Sequence, residues 1–308
     1  MKIEGCTAIV TGGNRGIGLG FVEELLDHGA ARVYVGARKR ADAEDVAKTD
    51  PARIVPVELD VTRPDQVAAA ADKARDVTLV VNNAGAFEMQ RLYGTDDPDA
   101  ARREMEVNYF GVLSMSRAFA PVIAANGGGG IINVLSAGGI VAVPDMGGYS
   151  PSKFAARAAS DCLRAELAPL GVGVTALIVG SVDTRMAAHV KVKKSQPRDI
   201  GKAGLWAIAN GVAEHDTDPH SIAVRAHLAR DPHGLAKSMA EFQQMPMAKM
   251  WAEDEVQAFI GDVMEMAMEG IDQGMEEMRA MHEAGMMPIS PDTLRFTRLE
   301  TKKLIKFI

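Results

Sequence analysis

Residues 7–18 read TAIVTGGNRGIG, and the fold turns on this passage. Thr7 to Thr11 form a short run of β-branched and apolar residues, the length of a buried strand. A glycine-rich turn follows, and FVEELLDH at 21–28 then places apolar residues at helical spacing. A Gly-rich fingerprint carries weight in this context, between a strand and a helix. Gly12 permits the tight turn, Gly16 lets the backbone approach a pyrophosphate, and Gly18 lets the helix pack closely. Free N–H groups and the positive end of the helix then complete an anion site. The passage predicts a dinucleotide-binding unit.

The same alternation continues outward. RVYVGA at 32–37, RIVPVELDV at 53–61, VTLVVNN at 77–83, GIINVLS at 130–136 and VGVTALIVG at 172–180 read as further buried strands. DQVAAAADKA at 65–74, the stretch near 97–124 and FAARAASDCLRAELAPL at 154–170 read as the helices between them. Strand and helix in strict alternation imply right-handed crossovers and a doubly wound parallel sheet of the α/β class. Ligands in such sheets bind beyond the carboxyl ends of the strands.

The 308 residues, 47% of them apolar, suffice for one large α/β domain with an addition, or for two small ones. A net charge of −7 argues against nucleic acid or an anionic membrane as partner. The two cysteines, Cys6 and Cys162, read as small buried residues rather than a disulfide framework. No signal-like opening and no long apolar run is present, so the expectation is a soluble cytoplasmic protein.

The second strand ends in Gly36-Ala37-Arg38-Lys39, with no acid to bond a ribose hydroxyl. Arg38, with Arg15 from the glycine turn, instead suits a 2′-phosphate, so NADP(H) is the expected cofactor. GGYSPSK at 147–153 sets Tyr149 and Lys153 four residues apart. That spacing puts a phenol and an ammonium on one side of a helical turn. Pro151 is tolerated if the helix starts there.

Together these pieces resemble the short-chain dehydrogenase/reductase family over roughly residues 5–184. TGGNRGIG at 11–18 matches TGxxxGxG, so Thr11, Asn14 and Ile17 join Arg15 and the glycines as cofactor contacts. Asp60 and Val61 match the adenine-contacting pair, and Asn82, Ala84 and Gly85 of NNAG match the motif beside the cofactor. Asn108, Ser136, Tyr149 and Lys153 match the catalytic set, Tyr149 lying thirteen residues after Ser136. Gly180, Val182 and Thr184 fit the loop after the sixth strand, although Val179 stands where the family has proline. That departure predicts a less rigid loop entry.

The resemblance implies a Rossmann-like core and a dimer or tetramer. It implies hydride transfer between a nicotinamide and a carbonyl or alcohol carbon. Tyr149 would be general acid or base. Lys153, with the oxidised nicotinamide, would lower its pKa and also hold the ribose. Ser136 would bond the substrate oxygen, and Asn108 would support a water relay. The substrate pocket is expected to be lined by 86–96, 137–146 and the segment after Thr184, and the small apolar stretch AGGIVAVP at 137–144 suggests a hydrophobic carbonyl substrate. The alternative from another class is a non-catalytic NADP-binding regulator on the same fold.

After residue 184 the texture changes. KVKKSQPRD at 191–199 reads as a charged mobile loop broken by Pro197. Four of the seven histidines fall in 215–234, without the i, i+4 spacing of a helical zinc site, and no metal is expected. Residues 239–287 carry twelve of the eighteen methionines, with Met264, Met268, Ile271, Met275 and Met278 on one helical face. The expected division is therefore a core at 1–184 and, at 185–308, a substrate loop plus a helical Met-rich extension serving as lid or oligomer contact. DTLRFTRLE at 292–300 is the candidate last strand.

Overall fold

The computed structural model describes residues 1–232 except 145, 189, 191 and 192, together with 234 and 237. β1 (Thr7–Thr11) is buried along its whole length. Its side chains alternate, Ala8 and Val10 entering one apolar cluster and Ile9 the other. A strand buried on both faces needs helices above and below it.

Six more strands join it, all parallel: β2 (Arg32–Ala37), β3 (Ile54–Glu58), β4 (Leu79–Asn82), β5 (Gly129–Val134), β6 (Val172–Ile178) and β7 (Glu214–Asp216). Their order in the sheet is β3-β2-β1-β4-β5-β6-β7. Ile9 pairs with Tyr34 on one side and Val80 on the other. The winding direction reverses between β1 and β4, which opens a crevice at their carboxyl ends.

One face is covered by α1 (Gly16–Asp27), α2 (Arg40–Ala47) and α7 (Pro197–Ala209), which contribute Phe21, Leu25, Val46 and Leu205. The other is covered by α3 (Pro64–Lys73), α5 (Gly111–Ala125) and α6 (Tyr149–Leu167), through Val67, Met115, Phe119 and Leu163. A short helix, α4 (Ala100–Met105), runs into α5 through a π-helical turn at Glu106–Phe110. α1 and α7 approach closely at Gly20, where an added Cβ would lie 2.4 Å from the Pro197 carbonyl.

Three features depart from the sequence reading. Pro197 does not break a loop; it opens α7, which Gln196 and Asp199 cap reciprocally. Strand β7 falls in 214–216, where no apolar run announces it. Cys162 is exposed, whereas Cys6 is buried as expected.

The chain divides into two compact units, one of Met1–His189 with Lys194–Asp218, the other of Val190–Lys193 with Pro219–Ile308. The sheet unit thus runs on past residue 184 to take in α7 and β7. In the second unit, α8 (Pro219–Arg230) is the described helix. The Met-rich stretch 239–287 and the candidate strand 292–300 lie outside the described residues.

Candidate active site

A cleft of about 1530 Å³ opens at the β1–β4 crevice. Small-ligand pockets span roughly 300–1,000 Å³, so it has room for a dinucleotide and a second molecule. The glycine turn forms its phosphate end. Gly12 and Gly16 have φ of +62° and +53°, conformations that disfavour a side chain. Gly18 serves packing instead, since a Cβ there would lie 2.2 Å from the Gly12 carbonyl oxygen. No side chain caps α1 and no acid occupies its first turn. Its terminal N–H groups therefore remain available to an anion.

Asn14, Arg15, Ile17, Arg38, Asp60 and Val61 line the same end. Arg15 and Arg38 are exposed, and neither meets a carboxylate among the described residues. Asp60 is held by its own loop: it accepts from the Thr62 amide at 3.0 Å and hydroxyl at 2.7 Å. Thr11 is buried behind the turn, accepting the Asn83 and Ala84 amides at 2.9 Å each.

NNAG divides its labour in a way the motif does not disclose. Asn82 turns away from the cleft and donates to Asn133 at 2.8 Å; Asn133 donates on to Ser160 at 2.9 Å. Asn83 lines the cleft and ties the turn down by donating to the Thr11 and Gly12 carbonyls at 2.9 and 3.2 Å. Successive strand residues face opposite sides, so only one of two adjacent asparagines can reach the ligand space. Ala84 and Gly85 follow as expected.

At the chemical end, Ser136, Tyr149 and Lys153 line the cleft together. The Ser136 hydroxyl accepts the Gly138 amide at 3.1 Å, which orients it at the end of β5. Lys153 Nζ donates to the Val134 carbonyl at 2.9 Å and sits 5.7 Å from the Tyr149 ring centroid. Burial lowers the Lys153 pKa to about 8. The Tyr149 pKa moves up rather than down. Burial is the main cause, the Ser136 hydrogen bond opposes it, and the Glu104 charge adds to it. The expected lowering needs a cationic nicotinamide; without one, desolvation wins and the phenol stays protonated.

Asn108 lies in the π-helical turn, an irregularity frequent at functional sites. It is buried and does not line the cleft. Its amide donates to Ala86 O and Ser152 Oγ, both at 2.9 Å, and its oxygen accepts from Ala86 N at 2.9 Å. It thereby fixes the backbone beside Lys153 rather than bonding its own helix.

The loop after β6 brings Gly180, Val182 and Thr184 to the cleft, Thr184 against Gly16. Rigidity comes from a residue the sequence did not flag: buried Asp218 accepts the Gly180 amide at 2.6 Å. A parallel bridge, Val182 to Ser195, holds the far side. The cleft wall also takes in Phe87, whose ring centroid lies 5.0 Å from that of Tyr149, together with Arg185, Met186 and Ala187, from two of the stretches expected to line the pocket. They carry no motif; only their closeness in sequence to NNAG and Thr184 marks them.

Comparison with known proteins agrees with this geometry. Residues 6–195 match the short chain dehydrogenase family. A short chain dehydrogenase from Burkholderia cenocepacia, solved in complex with NADP, is 44% identical with a TM-score of 0.74, over 80% of this chain and 100% of that one. A 3-oxoacyl-[acyl-carrier protein] reductase from Brucella melitensis with bound NAD is 25% identical, TM-score 0.64, over 70% of this chain and 90% of that one. A 3-alpha-(or 20-beta)-hydroxysteroid dehydrogenase of Mycobacterium tuberculosis is 33% identical over 68% of this chain and 80% of its own. No described helix is long and apolar enough to cross a membrane.

Proposed function

The chain belongs to the short-chain dehydrogenase family of oxidoreductases, and from that premise we propose that it interconverts a ketone and a secondary alcohol with NADPH. The observation that carries the reading is one cleft holding both the glycine turn and the Ser136–Tyr149–Lys153 group. Bound there, the cofactor supplies or accepts the hydride. Arg15 and Arg38, unengaged by any described carboxylate beside a strand end without an acid, suit its 2′-phosphate. The NADP-bound Burkholderia relative supports the same preference.

In the reductive direction Tyr149 gives its proton to the carbonyl oxygen as charge grows there. A phenol kept protonated by burial is suited to that role. Ser136, oriented by the Gly138 amide, bonds the same oxygen. Lys153 is held by Val134 beneath the phenol and lies where it can bond the nicotinamide ribose and replenish the proton. Phe87, Met186 and Ala187 make an apolar wall for the substrate, which favours a bulky hydrophobic ketone. The mycobacterial hydroxysteroid dehydrogenase points to the same chemical class. Exposed Phe110 and Phe154 suit self-association into a homo-oligomer, which we place in the cytoplasm.

The test is a fluorescence titration with NADPH and NADH, followed by a ketone screen. NADPH binding at least tenfold tighter than NADH, with turnover of hydrophobic ketones, is the expected result. NADPH binding without turnover of any ketone would favour a non-catalytic NADP-binding regulator on the same fold, and no binding of either would overturn the cofactor reading.

A further inference from the structure

Glu104 lies one helical turn before Asn108 and is only 1% exposed. One carboxylate oxygen accepts the Glu88 amide at 2.7 Å. The other faces Gly148, where an added Cβ would lie 2.8 Å from it, and the Gly148 backbone amide bears on the carboxylate without making a full hydrogen bond. The neighbouring Arg103 does not neutralise it, because that guanidinium is taken by Glu88 and Asp97. No ion pair reaches Glu104 among the described residues. A buried acid without a cation is costly, and a leucine would fill the space without that cost. Core packing alone does not account for it.

Its two neighbours belong to different parts of the cleft. Glu88 lies on the wall that follows Ala86 and Phe87, whereas Gly148 immediately precedes Tyr149 at the start of α6. The space at Gly148 admits nothing larger than hydrogen, since a Cβ would also come 2.4 Å from Ala101 Cα. Helix α4 is thus pressed directly against the backbone that carries the phenol.

We propose that Glu104 is a positioning residue that joins the Phe87–Glu88 wall of the cleft to the backbone bearing Tyr149. This rests on the reading of Tyr149 as proton donor, but its effect is measurable without substrate. The groups around the phenol are Lys153 from its own helix, Ser136 from the turn after β5 and Glu104 from α4. Those around Glu104 are Glu88, Arg103 and the Gly148 backbone amide, while burial pushes its own pKa up. An ionised Glu104 opposes formation of a phenolate, so its charge tunes the acid as its hydrogen bond holds the wall.

Two variants separate the parts. Glu104→Gln keeps an acceptor for the Glu88 amide and removes the charge; Glu104→Ala removes both. Hydrogen exchange at the Glu88 amide is the first readout. It is expected to stay slow in the wild type and Glu104→Gln and to quicken at least tenfold in Glu104→Ala. The second readout is the alkaline absorbance titration of Tyr149, taken as the difference from the matching Tyr149→Phe protein. Glu104→Gln should move the phenol to lower pH. Unchanged Glu88 exchange in Glu104→Ala, or an unmoved phenol in Glu104→Gln, would overturn the proposal. Neither readout depends on NADPH or a ketone, so failure of the ketoreductase reading would leave both intact.

Discussion

At the phosphate end the critical wall is backbone, with Gly12 and Gly16 held at positive φ and the first turn of α1 uncapped. At the chemical end the walls are side chains delivered by separate segments: Phe87 after β4, Ser136 after β5, Tyr149 and Lys153 from α6, and Met186 after β6. A backbone site tolerates almost no change of shape but asks little of side-chain chemistry. A side-chain site keeps its shape through many substitutions and fails when one functional group is removed. The two ends should therefore break differently.

The largest effect is expected at the chemical end. Tyr149→Phe should lower kcat/KM for a ketone by roughly 10²–10⁴-fold, the usual contribution of a general acid. NADPH binding, measured by fluorescence, should survive. At the phosphate end the corresponding break is Gly18→Ala. Its Cβ meets the Gly12 carbonyl at 2.2 Å, so the turn must distort at a cost of about 1–3 kcal/mol. A lowered denaturant midpoint and weakened binding of both NADPH and NADH are expected together. Arg38→Ala should sharpen the contrast by leaving the turn intact. It should weaken NADPH by roughly 10–100-fold, the value of a charge-assisted hydrogen bond, and leave NADH unchanged.

The smallest effect is on stability rather than turnover. Lys153 has a folded pKa of about 8 against an ordinary 10.5, so the unfolded chain binds more protons between those values. Stability therefore rises with pH through that window, and below it the buried charge opposes folding. Lys153→Met removes that opposition but leaves the Val134 carbonyl without its donor, so the net stabilisation near pH 7 should be about 1 kcal/mol. The gain should fade towards pH 10.5, as urea titrations at several pH values would register. The same variant should lose turnover, so stability and activity part at this residue.

The sequence was most legible where residue identity encodes backbone. Glycine at 12, 16 and 18 has a conformational meaning that needs no tertiary context, and the apolar strands β1, β2, β4, β5 and β6 announce themselves by burial on both faces. Resemblance singled out Asn108, Ser136, Tyr149 and Lys153, and the structure brings the last three to one cleft, while Asn108 holds Ala86 from behind it. Strand β7 escaped because Glu214, His215 and Asp216 are half-buried at a sheet edge and show no apolar run. Asp218 escaped because nothing local marks an acid that will meet an amide 38 residues earlier. Asn82, expected among the cofactor contacts, faces away from the cleft and Asn83 lines it instead, because a strand's phase at its last residue is set by its neighbours. Pairing with Asn133 commits Asn82 to the sheet.

The Asn83 clamp on the glycine turn spans 71 residues of chain, and this bears on the order of events during synthesis. A ribosome that has released only the first sixty residues has exposed every glycine of the turn but not the strand that must insert beside β1. Translation at roughly 5–20 residues per second leaves that nascent hairpin of β1 and α1 waiting for seconds without its partner. Non-local pairings of this kind are the slow steps of folding. The anion site, first to be translated, thus waits on β4 to take shape, and a fragment ending before Asn83 carries the whole motif without the fold that gives it meaning.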